Sequence, residues 1–157
     1  MRLAIWIATV SFVIDQLSKW VVVHALNLRS VGEIDVFAPY LVFRMAWNRG
    51  INFGLFAEHV ALLRWGWVAL AVGVSLWVLS WVRRENLSAL GQISAGLLVG
   101  GALGNALDRV IYGAVADFLN MGCCGIENPY SFNVADISIF AGAFGLILFT
   151  GKDEKRA

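Results

Sequence analysis

The sequence predicts an all-α membrane protein: four transmembrane helices carrying a small β-like platform on the outer side. Three observations predict it. Of 157 residues, 59% are hydrophobic and only 15% charged, and the mean hydropathy is +0.72; a soluble domain sits nearer half apolar and a quarter charged. Four apolar stretches, 3–25, 61–82, 89–111 and 133–150, approach the roughly 20 helical residues that cross about 30 Å of hydrocarbon. Between the first two lies 26–60, too long and too apolar for a plain linker. Its "YLVFRMAW" is rich in strand-favouring residues and its "GINFGLF" in bend-favouring glycine, with a re-entrant membrane segment as the rival reading. A chain of this length is expected to form a single domain, 1–157. The net charge of +1 gives no global basic field, so nucleic acid is not an expected partner and membrane lipids are.

Span one is not read as a cleavable leader, because Asp15, Gln16 and Lys19 interrupt its apolar core and no small-x-small site follows. Its "DQLSK" sets Asp15 and Lys19 at i and i+4 with the acid first, the favourable order for an ion pair. Mutual compensation and direct substrate contact are equally good readings of that pair. Lys19 lies in the outer half, placed to snorkel toward the interface. Arg2, the Arg83–Arg84 loop, and Lys152, Lys155 and Arg156 of the tail put both termini in the cytoplasm; Arg29, Arg44 and Arg49 vote the other way. Trp20, Trp65, Trp67 and Trp81 fall near span ends, where aromatic belts form.

Span three repeats Gly96, Gly100 and Gly104 every four residues, a stripe that admits a close neighbouring helix. One turn on, Asn105 and Arg109 share a face. Asp108 and Arg109 have a plain reading as interfacial anchors, whereas a buried Asn105 amide needs partners. The outer segment Gly113–Ser131 carries Gly122, Gly125 and Pro129 and is expected to be irregular.

Asp117, in "VADFLN", follows span three just outside its end. Asp136 sits in the first turn of span four, which returns from the same surface. An antiparallel hairpin brings the two carboxylates to one depth, with Asn133 at i−3 beside Asp136. Two close carboxylates do not both ionise easily, so such a pair shares a proton, as in an aspartic protease. On residue arithmetic alone, that reading stands level with Asp136 as the proton-relay residue of a small proton- or ion-coupled transporter. A noncatalytic scaffold built on the glycine stripe is the third class. No metal site or cofactor is expected, since His24 and His59 are isolated and lack ligand spacing. Adjacent Cys123 and Cys124 bridge only with unusual geometry and read as loop residues.

Five blocks in order, "DQLSK" (15–19), "NRGINFGLF" (48–56), "GNALDR" (104–109), "VADFLN" (115–120) and "FNVADISI" (132–139), resemble the motifs of the lipoprotein signal peptidase, or signal peptidase II, family. The resemblance spans nearly the whole chain. It implies a monomeric aspartyl endopeptidase of the bacterial inner membrane that cuts a prolipoprotein just before its diacylglyceryl-modified cysteine. It makes Asp117 and Asp136 the catalytic pair. It makes Asp15, Lys19, Asn48, Gly50, Asn105, Arg109 and Asn133 substrate-binding or site-shaping. It also implies that the outer platform is a β-cradle, and that a mobile outer helix lies at the start of 113–131 or in 52–60. Ile51 and Asn52 depart mildly from the small residues usual after "NRG".

Overall fold

A computed structural model describes residues 1–50, 60–123 and 128–150. Helix α1 (Arg2–Lys19) loosens into a π-helical stretch, Trp20–Ala25, closed by a hydrogen bond from Leu26 N to Val21 O of 2.8 Å. A single turn, α2 (Leu28–Val31), leads into strands β1 (Glu33–Phe37) and β2 (Leu41–Asn48). Helices α3 (Val60–Glu85) and α4 (Ala89–Tyr112) follow, then strand β3 (Val115–Asn120) and helix α5 (Val134–Thr150). Among the described residues, three helices are long and apolar enough to cross a membrane: Arg2–Ala25, Leu62–Glu85 and Ala89–Tyr112. At 17 residues, α5 is apolar but shorter.

Helix α4 is the hub, packed against α1, α3 and α5. Ser88 caps its start, accepting from Gly91 N at 3.2 Å. Gly113, at φ +79°, takes the left-handed conformation that ends it and turns the chain directly into β3. The glycine stripe works by close approach. A Cβ at Gly96 would lie 2.6 Å from the Ala4 carbonyl oxygen, and one at Gly100 2.5 Å from that of Ala8, so both positions let the α1 backbone sit against α4. Gly104 differs: a Cβ there would meet the Asp15 carboxylate at 2.5 Å. The last member of the stripe admits a charged side chain instead of a helix backbone. Away from these seams the helices turn Leu17, Trp20, Leu62, Leu76, Trp77, Phe140 and Ile147 outward, as lipid-facing surfaces require.

The platform is a three-stranded antiparallel sheet ordered β1-β2-β3. Its strands β1 and β2 fall within the segment expected to be β-like; β3 does not. It lies in Gly113–Ser131, expected to be irregular, yet Val115–Asn120 pairs along β2 and is almost wholly buried. The bends provided by glycine and proline act only after it. Phe132 then bridges to Leu119, its N donating to Leu119 O at 3.0 Å while its O accepts from Leu119 N at 2.8 Å. That bridge fixes where α5 begins. The expected mobile helix finds no counterpart in 113–123, where β3 lies, and 52–59 is outside the described residues. So are Ile51, Asn52 and Cys124; Cys123 is disulfide-bonded.

Candidate active site

Asp136 is positioned by the helix it starts. Asn133 is the N-cap of α5, its Oδ1 accepting from Asp136 N at 2.9 Å, and Asp136 Oδ2 accepts in return from Asn133 N at 3.2 Å. This reciprocal capping box satisfies two of the helix's orphan donors and fixes the carboxylate's orientation. Its other oxygen, Oδ1, accepts from Asn105 Nδ2 on α4 at 2.8 Å.

Asp117 reaches the same point from β3, opposite Ala46 of β2. Asn133 Nδ2 donates to its Oδ1 at 2.6 Å and to Asn105 Oδ1 at 3.1 Å. One residue, Asn133, therefore touches both aspartates, and Asn105 closes the ring. Asn48 also hydrogen-bonds Asp117. The Asn48 amide is itself held by an Asx turn, its Oδ1 accepting from Gly50 N at 2.9 Å. Gly50 is needed for that turn: its φ is +79°, and a Cβ would fall 2.6 Å from Trp67 Nε1. Trp67 in turn lies under the Arg109 guanidinium at 5.7 Å. Arg109 donates to Asn105 O at 3.2 Å, and its Nε has no partner among the described residues.

Asp117 is only 3% exposed. Burial first, then the charge of Asp136, pushes its carboxyl up from 3.8 to about 6, against hydrogen bonds from Asn48 and Asn133 and the charge of Lys19. Asp136 is only half-buried. It lines an apolar cleft of about 500 Å³ with Phe132, Ile137, Phe140, Ala141 and Phe144, on the outward flank of α5. A buried acid and a more exposed one thus meet where a lateral apolar opening begins.

Behind the pair lies a buried ionic cluster. Lys19 Nζ sits 2.8 Å from Asp15 Oδ2 and 2.7 Å from Asp108 Oδ2, and donates to Asn105 Oδ1 at 3.2 Å. Gln16 Nε2 ties the two carboxylates together, at 3.1 Å from Asp15 and 3.0 Å from Asp108, and also reaches Gly104 O. Each carboxylate then holds the backbone amide just before one of the candidate aspartates. Asp15 Oδ1 accepts from Ala135 N at 2.9 Å, and Asp108 Oδ2 accepts from Ala116 N at 3.1 Å.

The structure therefore gathers Asp15, Lys19, Asn48, Gly50, Asn105, Arg109, Asp117, Asn133 and Asp136 in one region. Two expectations are corrected. Lys19 does not snorkel; it is 4% exposed, because two carboxylates and an amide hold it more strongly than the interface would. Asp108 is not an interfacial anchor; it is fully buried, drawn inward by Lys19 and the Ala116 amide. Gln16 and Asp108 are the two members that sequence reasoning missed. Both stand inside quoted motif blocks, and their signal is a polar residue beside a charged one within an apolar span.

A family model described as Signal peptidase (SPase) II matches residues 7–151. The chain is 41% identical over 149 residues to the lipoprotein signal peptidase of Methylobacterium sp. (strain 4-46), covering 95% of this chain and 88% of that one. It is 45% identical over 120 residues to the lipoprotein signal peptidase of Methylorubrum extorquens (strain PA1), covering 76% and 69%. A bacterial membrane enzyme structure determined by the in meso method at 2.3 Å superposes with a TM-score of 0.76 at 24% identity, over 98% of this chain and 90% of that one. With three membrane-length helices and a match to nearly its full length, this multi-pass membrane chain belongs to the signal peptidase II family.

Proposed function

We propose that this protein is a prolipoprotein signal peptidase acting as an aspartyl endopeptidase, with Asp117 and Asp136 as its catalytic pair. The observation that carries the reading is the junction at Asn133. It holds a buried carboxyl, pushed up to about 6, beside a half-buried one at the mouth of an apolar lateral cleft. The reactive form is the one in which the pair holds a single proton, placed on Asp117, with Asp136 as the base. Asp136 takes a proton from water as the oxygen attacks the scissile carbonyl, and Asp117 gives its proton to the carbonyl oxygen. Collapse of the resulting gem-diol breaks the C–N bond, and a proton passes to the leaving amine. Asn105, Asn133 and Asn48 orient the pair, and Arg109, held beside Asn105, donates to the substrate backbone.

The substrate reading follows from where the cleft opens. A diacylglyceryl-cysteine and a signal helix both arrive through lipid, and an apolar flank on α5 receives such groups by burial, at about 0.8 kcal/mol per methylene. Cleavage before the lipidated cysteine places the peptide bond at the membrane surface. That requires α5 to act as a fourth span, with its Asp136 end at the outer face and both termini in the cytoplasm. The charge of Arg83, Arg84 and the tail supports this orientation. The pair is completed within one chain, which is compatible with the monomer that the family resemblance implies. Family membership leaves the transporter reading without support.

The test compares one prolipoprotein with and without its diacylglycerol, in the same detergent and with the same enzyme. The lipid-modified form should be cleaved at least ~10-fold faster, equivalent to about 1.4 kcal/mol of lipid burial. Equal cleavage of both forms would remove the lipid from the account.

A further inference from the structure

We infer that a second site, on the face of the platform opposite the aspartates, binds a phosphate-bearing anion. Along β2, successive side chains alternate between faces. Ala46, opposite Asp117, and Asn48, bonded to it, take the dyad side. Trp47 takes the other, and Arg49 follows it two residues on. There a cleft of about 390 Å³ with largely polar walls is lined by Arg29, Trp47, Arg49, Ile111, Tyr112 and Ala114. None of its lining residues is used by the reaction steps above.

Among the described residues, the charge lining this cleft is one-sided. The ion pairs among the described residues join Lys19 to Asp15 and Asp108, and Arg44 to Glu33; none involves Arg29 or Arg49. Two guanidiniums that share a cleft repel one another unless an anion lies between them. A guanidinium fork matches a tetrahedral phosphate with paired N–H donors, better than it matches a single-atom anion. The back wall is built to stay in place: the Trp47 and Tyr112 rings pack at 5.5 Å between centroids, and the Tyr112 hydroxyl is hydrogen-bonded to His24 Nε2 at 3.0 Å. The same wall ties together the ends of α1 and α4 that carry the platform, and Leu28, fully buried, anchors the α2 turn that bears Arg29. Paired Trp and Tyr rings beside arginines occupy the depth at which lipid headgroups sit. The phosphate therefore comes from a phospholipid headgroup or from solution. The headgroup source rests on the membrane orientation proposed above; the anion chemistry does not.

The experiment titrates the full-length protein, in neutral detergent, with two probes read by calorimetry. One is inorganic phosphate; the other is a short-chain phosphatidylglycerol kept below its micelle concentration. Saturable one-to-one binding is expected, weakened at least about tenfold by Arg29→Gln and by Arg49→Gln and unchanged by Arg83→Gln in the α3–α4 loop. Tighter binding of the phosphatidylglycerol than of phosphate assigns the headgroup as the source; equal or tighter binding of phosphate assigns the free anion. Retained peptidase activity in Arg29→Gln shows that this variant is folded, and the binding readout itself needs no peptidase activity. No saturation by either probe, or wild-type affinity in both arginine variants, overturns the site.

Discussion

At Asp117 the cost of the site can be read as a pH dependence. The unfolded chain releases this proton near the ordinary 3.8, the folded protein near 6. Between those values the folded state holds more protons, so stability falls as pH rises through the window, by roughly 3 kcal/mol in full. A carboxamide at this position would not ionise, yet it would keep an acceptor oxygen for Asn133. The Asp117→Asn variant should therefore melt higher than wild type at pH 7.5 and show no such gain at pH 4. A gain of equal size at both values would mean that the carboxylate's charge is not what burdens the fold. At Asp108 the burden of a substitution lies in its ion pair and hydrogen bond. The residue is fully buried against Lys19 and holds the Ala116 amide. Asp108→Asn removes one of the two carboxylates that hold Lys19, leaving the Lys19–Asp15 pair balanced, and should cost about 1.5–3 kcal/mol, read as a lower melting temperature in detergent. Unchanged melting would show that Asp15 and Asn105 suffice for Lys19.

At the scale of elements, α4 sets the distances on which the site depends. Gly100 admits the Ala8 carbonyl and Gly104 the Asp15 carboxylate, so one helix face both packs α1 and delivers its acid to the Ala135 amide. Gly100→Leu should push α1 away by more than side-chain relaxation absorbs, with loss of folded protein or a fall in melting temperature of several degrees; Gly73→Leu, on an open surface of α3, should change neither. Equal behaviour of the two variants would show that the stripe is not a seam. The elements differ in how plainly they can be read from the chain. The four apolar helices and the strand at Leu41–Asn48 follow from hydropathy and strand propensity, whereas Glu33–Phe37 lies within the segment read as β-like but carries no strand signal of its own. Strand β3 does not, because "VADFLN" carries an acid at its centre and borrows its order from β2, a tertiary partner that no local pattern announces. The Asn133–Asp136 pair is visible as a spacing, but its closure as a capping box is a property of the helix start that the Phe132–Leu119 bridge fixes. Lys19 and Asp108 depart from expectation for a common reason: sequence weighs each against the membrane interface, whereas its partner is on another helix.

At the scale of the whole molecule, the chain solves one problem, which is to hold water-dependent chemistry at the edge of an apolar bundle. The buried cluster of Lys19, Asp15, Asp108 and Gln16 ties α1, α4, β3 and α5 together through two backbone amides, each one residue before a candidate catalytic acid. The platform contributes Asn48 from one side of β2 and turns Trp47 and Arg49 to the other, so a single strand serves the aspartates and the anion cleft. On the proposed function, the apolar opening beside Asp136 is where a lipidated substrate would enter. The most direct test of the central claim is the turnover of diacylglyceryl-modified prolipoprotein by purified wild type, Asp117→Asn and Asp136→Asn, each with a melting curve. The predicted result is cleavage by wild type and a loss of about 10³-fold or more in each variant, with both variants folded. Wild-type turnover by either folded variant would contradict the assignment of the pair.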